Sequence, residues 1–329
     1  MPDVVSIGEA LIDFLSIEKG VLLENVRGFT IAPGGAPANV AAAVSKLGGS
    51  AGFIGKVGND AFGRLFRNTL AGAGVNIDLL KVGKTVNTTL AFIAVKPDGE
   101  PDFTFYRKHG GADISLKQDE VDRGYVLSSK IFHFGSLSFT DEPLRSTTLS
   151  CIEIARGSGK VISFDPNLRP SLWDNLQQAR VEMKNGLQYA DMVKLTVEEL
   201  EFLTGEKNLS KGLELIFKQG PRMAIVTRGE RSCLFSNGSM SLEVPAFRVD
   251  LVDATGAGDA FVGGVLFKVL KRIDEQKPVF DLQRDEAEDM LRFAHACGAI
   301  TVTRKGVIPA LPSMEEVEGF LKENPEENR

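Results

Sequence analysis

The sequence predicts an α/β fold with a mostly parallel central sheet covered by helices on both faces. Two observations carry this. Short apolar runs recur at residues 3–8, 50–57, 130–135, 160–165, 192–195 and 223–227, most ending in Gly, Asp or Thr, with helical patterns between them. Strands that alternate with helices imply βαβ units. Polar residues also follow those runs, as in Gly8-Glu9, Asp165-Pro166-Asn167 and Thr227-Arg228-Gly229. Sheets of this kind bind ligands beyond the carboxyl ends of their strands.

Taken in chain order, the first run leads into 11–32, which alternates apolar and polar residues in the manner of antiparallel strands. Segment 85–112 does the same, as in Thr88-Thr89-Leu90-Ala91-Phe92-Ile93-Ala94-Val95. Lys96-Pro97-Asp98-Gly99 then supplies turn chemistry. These two segments are expected to form a small β-lid inserted into a single domain of residues 1–329. Between them, Ala32-Pro33-Gly34-Gly35-Ala36-Pro37-Ala38-Asn39 opens a helix, because Pro37 suits a first helical position and Gly48-Gly49 stops the helix after Leu47. Asn39 falls in its first turn, either to bind hydroxyls or as a plain surface residue. Gly55 to Gly63 reads as a strand end, a turn and a capped helix.

Val252-Asp253-Ala254-Thr255-Gly256-Ala257-Gly258-Asp259-Ala260-Phe261 places a carboxylate just after two glycines, at the mouth of a helix running from Asp259 to about Ile273. Main-chain N–H groups and the helix dipole favour an anion there. A carboxylate beside that cradle can accept a proton from a hydroxyl, which suggests phosphoryl transfer to an alcohol. The same residues also suit an ordinary turn with Asp259 as a first-turn acid. A dinucleotide fingerprint is excluded, since Phe261 stands where its third glycine would be, and 50–57 lacks the first glycine and the Ser/Thr of a Walker A loop. Residues 287–303 read as a further helix and 324–329 as a frayed end.

The chain has 329 residues, 43% hydrophobic and 25% charged, with a net charge of −6 and no block of Lys or Arg. Nucleic-acid and anionic-membrane surfaces are therefore not expected. Cys151, Cys233 and Cys297 are too dispersed for a disulfide framework or a zinc site. Asp3, Glu9 and Asp13 interrupt the first apolar run, which does not fit a secretory leader, and no run approaches a membrane span. A cytoplasmic protein is expected.

Together, the glycine-rich stretches 32–41 and 252–261 resemble the two signatures of the ribokinase-like (PfkB) sugar kinases, with the likeness extending over nearly the whole chain. Within that family, Gly8-Glu9-Ala10-Leu11-Ile12-Asp13-Phe14, Phe105-Tyr106-Arg107 and Phe164-Asp165-Pro166-Asn167-Leu168-Arg169-Pro170-Ser171-Leu172-Trp173 are most similar to fructokinases. The resemblance implies a three-layer α/β/α core with a β-sheet lid, ATP as phosphoryl donor, Mg²⁺, and K⁺. It implies Asp259 as the base and the amides of Thr255, Gly256, Ala257 and Gly258 as the anion hole. Asp13, Gly34, Gly35 and Asn39 would bind sugar hydroxyls, Arg107 would close over the sugar, and Asn167 and Arg169 would lie toward sugar and γ-phosphate. Lys194, Thr227, Arg228, Gly229 and His295 fall on the nucleotide side, although His295 also suits an ordinary core position.

Glu199 matches a family glutamate that acts on Mg²⁺ through water, with Thr196 where the family has Asn. Asp253, Thr255, Thr301, Arg304 and Gly306 match a monovalent-cation site, with Ala310 where some members carry Ser. A homodimer through the lid is implied as well. The substrate expected first is D-fructose, converted to fructose 6-phosphate. A 2-keto-3-deoxygluconate kinase is the alternative, since Arg107 and Arg169 could pair with a carboxylate. A ribokinase comes third, and a sugar or nucleotide sensor without turnover is the reading from another class.

Overall fold

In the computed structural model, residues 1–97, 101–107 and 110–325 are described. Strands run β1 Val4–Ile7, β2 Leu11–Lys19, β3 Phe29–Gly34, β4 Ala51–Gly58, β5 Leu80–Gly83, β6 Thr89–Val95 and β7 Pro101–Tyr106. They continue with β8 Ile131–Gly135, β9 Val161–Asp165, β10 Met192–Thr196, β11 Met223–Thr227, β12 Ser232–Ser236 and β13 Ser241–Pro245. Helices are α1 Ala36–Lys46, α2 Ala61–Gly72, α3 Arg123–Ser128, α4 Leu144–Gly157 and α5 Leu176–Tyr189. After these come α6 Val197–Thr204, α7 Leu209–Phe217, α8 Ala257–Asp274, α9 Arg284–Val302 and α10 Met314–Glu323.

Nine strands form the main sheet in the order β13-β12-β11-β10-β9-β8-β1-β4-β5. From β5 to β11 every neighbouring pair is parallel, and only β12 runs the other way, antiparallel to both β11 and β13. Successive strand residues feed opposite faces: Val4 and Ile131 enter one core, Val5 and Phe132 the other. That double burial is why these strands read as unbroken apolar runs. Residues of α1, α8 and α9 fill the first core, those of α4, α5 and α6 the second. This is the three-layer α/β/α arrangement expected. The chain adds β4 and β5 on one side of β1, then β8 to β11 on the other, so the order reverses at β1. Ligand crevices form outside the carboxyl ends at such a reversal.

A second sheet has the order β3-β2-β6-β7. Its two hairpins are antiparallel, but β2 and β6 run parallel, correcting the expectation of antiparallel strands throughout. Both β2 and β6 leave the carboxyl edge of the main sheet, after β1 and β5, and so point the same way. The β5 and β12–β13 strands were not foreseen: β5 carries Lys81 between Leu80 and Val82, β12 is bounded by Ser232 and Ser236, and β13 alternates exposed and buried residues instead of forming an apolar run. The turn residues Asp98 and Gly99, and most of the end expected to fray, lie outside the described residues. No helix of the described residues is long and apolar enough to cross a membrane.

Candidate active site

The glycine-rich turn before α8 is shaped by hydrogen bonds from both flanks. Asp253 Oδ1 accepts from the Thr255 amide at 3.0 Å, and its Oδ2 accepts from the Gly306 amide at 3.2 Å. Gly256 caps the helix at φ 80°, a left-handed conformation that glycine adopts at no steric cost. A Cβ there would also come within 2.3 Å of Val307 Cγ1. The expected four-amide nest is therefore narrower, because Thr255 N–H is held by Asp253 and Ala257 N–H points to Ala254 O at 3.4 Å. The amides of Gly256, Gly258 and Asp259 have no acceptor among the described residues.

Asp259 lies in the first turn of α8 and takes a hydrogen bond from Asn39 Nδ2 at 2.8 Å. Burial pushes its carboxyl up to about 6, against the Asn39 hydrogen bond and the charges of Lys194 and Arg169; Asp165 pushes the same way as burial. Asn39 Oδ1 is buried without a partner. Asp13, near the start of β2, is raised to about 7, chiefly by burial, with Arg169 opposing and Asp259 and Glu9 reinforcing. Gly34 makes room for it, since a Cβ there would sit 2.1 Å from Asp13 Oδ2. Gly35 takes φ 115°, and a Cβ on it would meet Glu9 O at 2.3 Å. Asp13, Gly34, Gly35, Asn39 and Asp259 are thus one cluster, with Arg169 the cation facing both aspartates.

Glu9 was not singled out as a site residue, although its place after an apolar strand marked it. Its Oε1 accepts from Ala36 N–H at 2.9 Å, its Oε2 is buried without a partner, and burial raises it to about 7. Lys194 is the cation at the nest: its Nζ is 3.2 Å from Asp165 Oδ2 and 3.4 Å from where a Cβ on Gly258 would lie. Burial alone would lower this lysine, but Asp165, Glu199 and Asp259 hold it above its ordinary value. Glu199 is buried and accepts from the Thr196 amide and the Leu168 amide, each at 2.8 Å. Thr196 caps α6 and closes a reciprocal box with Glu199, so threonine keeps the capping role that asparagine would have. Asn167 adopts φ 47° in the loop after β9.

Other expected site residues are differently engaged. Arg107 is 1% exposed, with Nε on Asp113 Oδ2 at 2.7 Å, Nη1 on Thr140 Oγ1 at 2.6 Å and Nη2 on Leu137 O at 3.0 Å. Its guanidinium is engaged by side-chain and main-chain acceptors on three nitrogens. Arg228 turns onto the β12–β13 hairpin, meeting Glu243 at 2.5 Å, while Thr227 Oγ1 donates to Leu195 O and Gly229 takes φ 61°. His295 is buried, 3.2 Å from Cys233 Sγ and edge-on to Phe261, and burial lowers it to about 4. That is a neutral core histidine. Thr301 Oγ1 donates to Cys297 O, and Arg304 pairs with Glu316 on α10.

A family model described as "pfkB family carbohydrate kinase" matches residues 1–314. Fructokinase-1 from Zea mays is 42% identical over 319 residues, covering 95% of this chain and 96% of that protein. Among solved structures, fructokinase with bound ATP from Xylella fastidiosa is 34% identical at a TM-score of 0.90, covering 99% of this chain and all of that one. A double mutant of fructokinase from Vibrio cholerae O395, bound to fructose, ADP and a potassium ion, is 32% identical at a TM-score of 0.84 over 97% of this chain and 98% of that chain.

Proposed function

The chain belongs to the pfkB family of carbohydrate kinases and is a sugar phosphotransferase, and from that premise we propose that it transfers the γ-phosphoryl group of ATP to D-fructose, yielding fructose 6-phosphate. The observation that carries this reading is the Asn39–Asp259 hydrogen bond beside the amides of Gly256, Gly258 and Asp259. A sugar hydroxyl placed between them meets a base on one side and an anion cradle on the other. Asp259 takes the hydroxyl proton, a role worth about 10²–10⁴-fold. Gly256 and Gly258 hold the charge on the moving phosphoryl group, and donors of this kind are worth about 3–4 kcal/mol each. Arg169 orients the same group, and Lys194, fixed by Asp165, faces the nucleotide phosphates.

Mg²⁺, when bound, would supply charge neutralisation on those phosphates. No cluster of three or more His, Cys, Asp or Glu among the described residues forms a ready-made metal cage, which suits an ion held by phosphates, water and one or two carboxylates. Asp165 and Glu199 are those carboxylates; both oxygens of Glu199 already accept main-chain N–H groups, so it acts through water. For K⁺, the carbonyls of Asp253, Thr255, Thr301, Arg304 and Gly306 are the proposed ligands. Asp253 draws two of these loops together through the Thr255 and Gly306 amides.

A neutral ketose suits the sugar side better than a sugar acid. Asp13, Glu9 and Asn39 Oδ1 are acceptors that hydroxyl donors would satisfy, and Arg107 is already paired. The β3-β2-β6-β7 sheet serves as the lid. It exposes Ile17, Ile31 and Tyr106, and its edges would be covered by a second copy in a homodimer. The test is a coupled assay with ATP and a panel of fructose, ribose and 2-keto-3-deoxygluconate. Fructose is expected to be the best substrate; turnover of ribose or of the acid alone would overturn the assignment.

A further inference from the structure

Two arginines near the site could receive a sugar carboxylate, and they are held differently. Arg169 sits in the field of Asp13 and Asp259, with one hydrogen bond, from Nη1 to Leu168 O. Arg107 follows β7 at the base of the second sheet and is fully engaged. Its Nε meets Asp113 at 2.7 Å, and Asp141 Oδ2 lies 3.8 Å from its Nη1. Asp113 is itself fully buried and also accepts from Thr89 Oγ1, at the start of β6. One carboxylate therefore grips the first residue of β6 and the residue after β7. Arg107 lies in the field of Glu9, and Glu9 in that of Asp13, so the pair stands one carboxylate behind the hydroxyl-binding cluster.

We propose that Asp113 sets the substrate class: by occupying the Arg107 fork it withdraws a buried guanidinium that could receive a carboxylate, so the pocket takes a neutral ketose and rejects a sugar acid. The proposal rests on the kinase reading above and deepens it. An arginine fork matches a carboxylate in a bidentate manner, and only one carboxylate at a time can use its Nε edge. With Asp113 neutral, Arg107 keeps a charge that only Asp141 and Glu9 offset, and an acidic substrate becomes the anion that completes it.

The experiment compares kcat/KM for D-fructose and for 2-keto-3-deoxygluconate, with ATP, in the wild type, in Asp113→Asn and in the double variant Arg107→Met/Asp113→Leu. In Asp113→Asn the acid-to-fructose ratio should rise at least about tenfold. In the double variant, where Arg107 no longer offers its fork to the acid and Arg169 is unchanged, the ratio should fall back to within about threefold of wild type. Parallel losses on both substrates in Asp113→Asn would show a purely structural pair and overturn the proposal. Should that variant not fold, competition in the wild type decides: the acid should inhibit fructose turnover with a Ki at least about tenfold above the fructose KM. A Ki equal to that KM would overturn the proposal. A wild type that phosphorylates the acid and not fructose would instead defeat the fructokinase reading itself.

Discussion

Asn39 Nδ2 donates to Asp259 Oδ2 at 2.8 Å, joining the first turns of two helices whose contacting residues are 220 positions apart. The bond orients the proposed base and favours its ionised form against burial, which raises it to about 6. The base works only when ionised, so kcat should fall as pH drops through about 6. Asn39→Ala removes the bond and should move that acidic limb to higher pH. A pH–rate profile of the two proteins checks it; an unmoved limb would detach Asn39 from the base.

Gly34 leaves room for Asp13, whose Oδ2 would be 2.1 Å from a Cβ. Gly34→Ala should displace that carboxylate and raise the fructose KM about tenfold or more, because displacements near 1 Å can cost about 10²-fold. The dissociation constant for ATP should stay within about twofold, since the clash lies on the sugar side. Steady-state kinetics with nucleotide titration separates the two.

Glu9 is raised by burial from 4.5 to about 7. Its ionised form is thus disfavoured in the fold: the penalty is absent below pH 4.5, grows as pH rises toward 7 and is complete above it. Wild-type stability should therefore decline from pH 5 to pH 8. Glu9→Gln, which keeps an acceptor for Ala36 N–H, should gain on the order of 2–3 kcal/mol relative to wild type over that interval. Urea unfolding at both pH values measures the gain, and an equal difference at the two would remove the buried charge as its cause.

Asp253 Oδ1 and Oδ2 accept from the Thr255 and Gly306 amides, in the loops proposed above to hold a monovalent cation. Turnover should require Mg²⁺ and be stimulated by K⁺ over Na⁺, with the stimulation lost in Asp253→Ala. Rates equal in both salts would remove the cation site and leave the kinase assignment standing.

The central strands β1, β4 and β8 to β11 and both glycine-rich turns were legible because burial on two faces leaves apolar runs and because left-handed or crowded positions demand glycine, as at Gly35 and Gly256. Asp259 and its nest were placed by the second of those turns, whereas Asp13 was indicated only by the family resemblance. What the sequence hid is long-range side-chain pairing. Nothing local indicates that Asp113 would seize Arg107, that Asp253 would take the Gly306 amide, or that Glu243 would hold Arg228. His295 sits on a helix with the right apolar spacing for either role, and only packing against Phe261 and Cys233 assigns it to the core. The parallel β2–β6 pairing was equally hidden, because alternation specifies a half-buried strand and not its partner's direction.

The central claim is that Asp259 removes the proton from the sugar hydroxyl, and Asp259→Asn tests it most directly. The substitution keeps the shape of the side chain while abolishing its basicity. The measurement is kcat with fructose and ATP alongside the dissociation constant for ATP. The account predicts a loss in kcat of about 10²-fold or more with nucleotide affinity nearly unchanged. Turnover near the wild-type rate would contradict it.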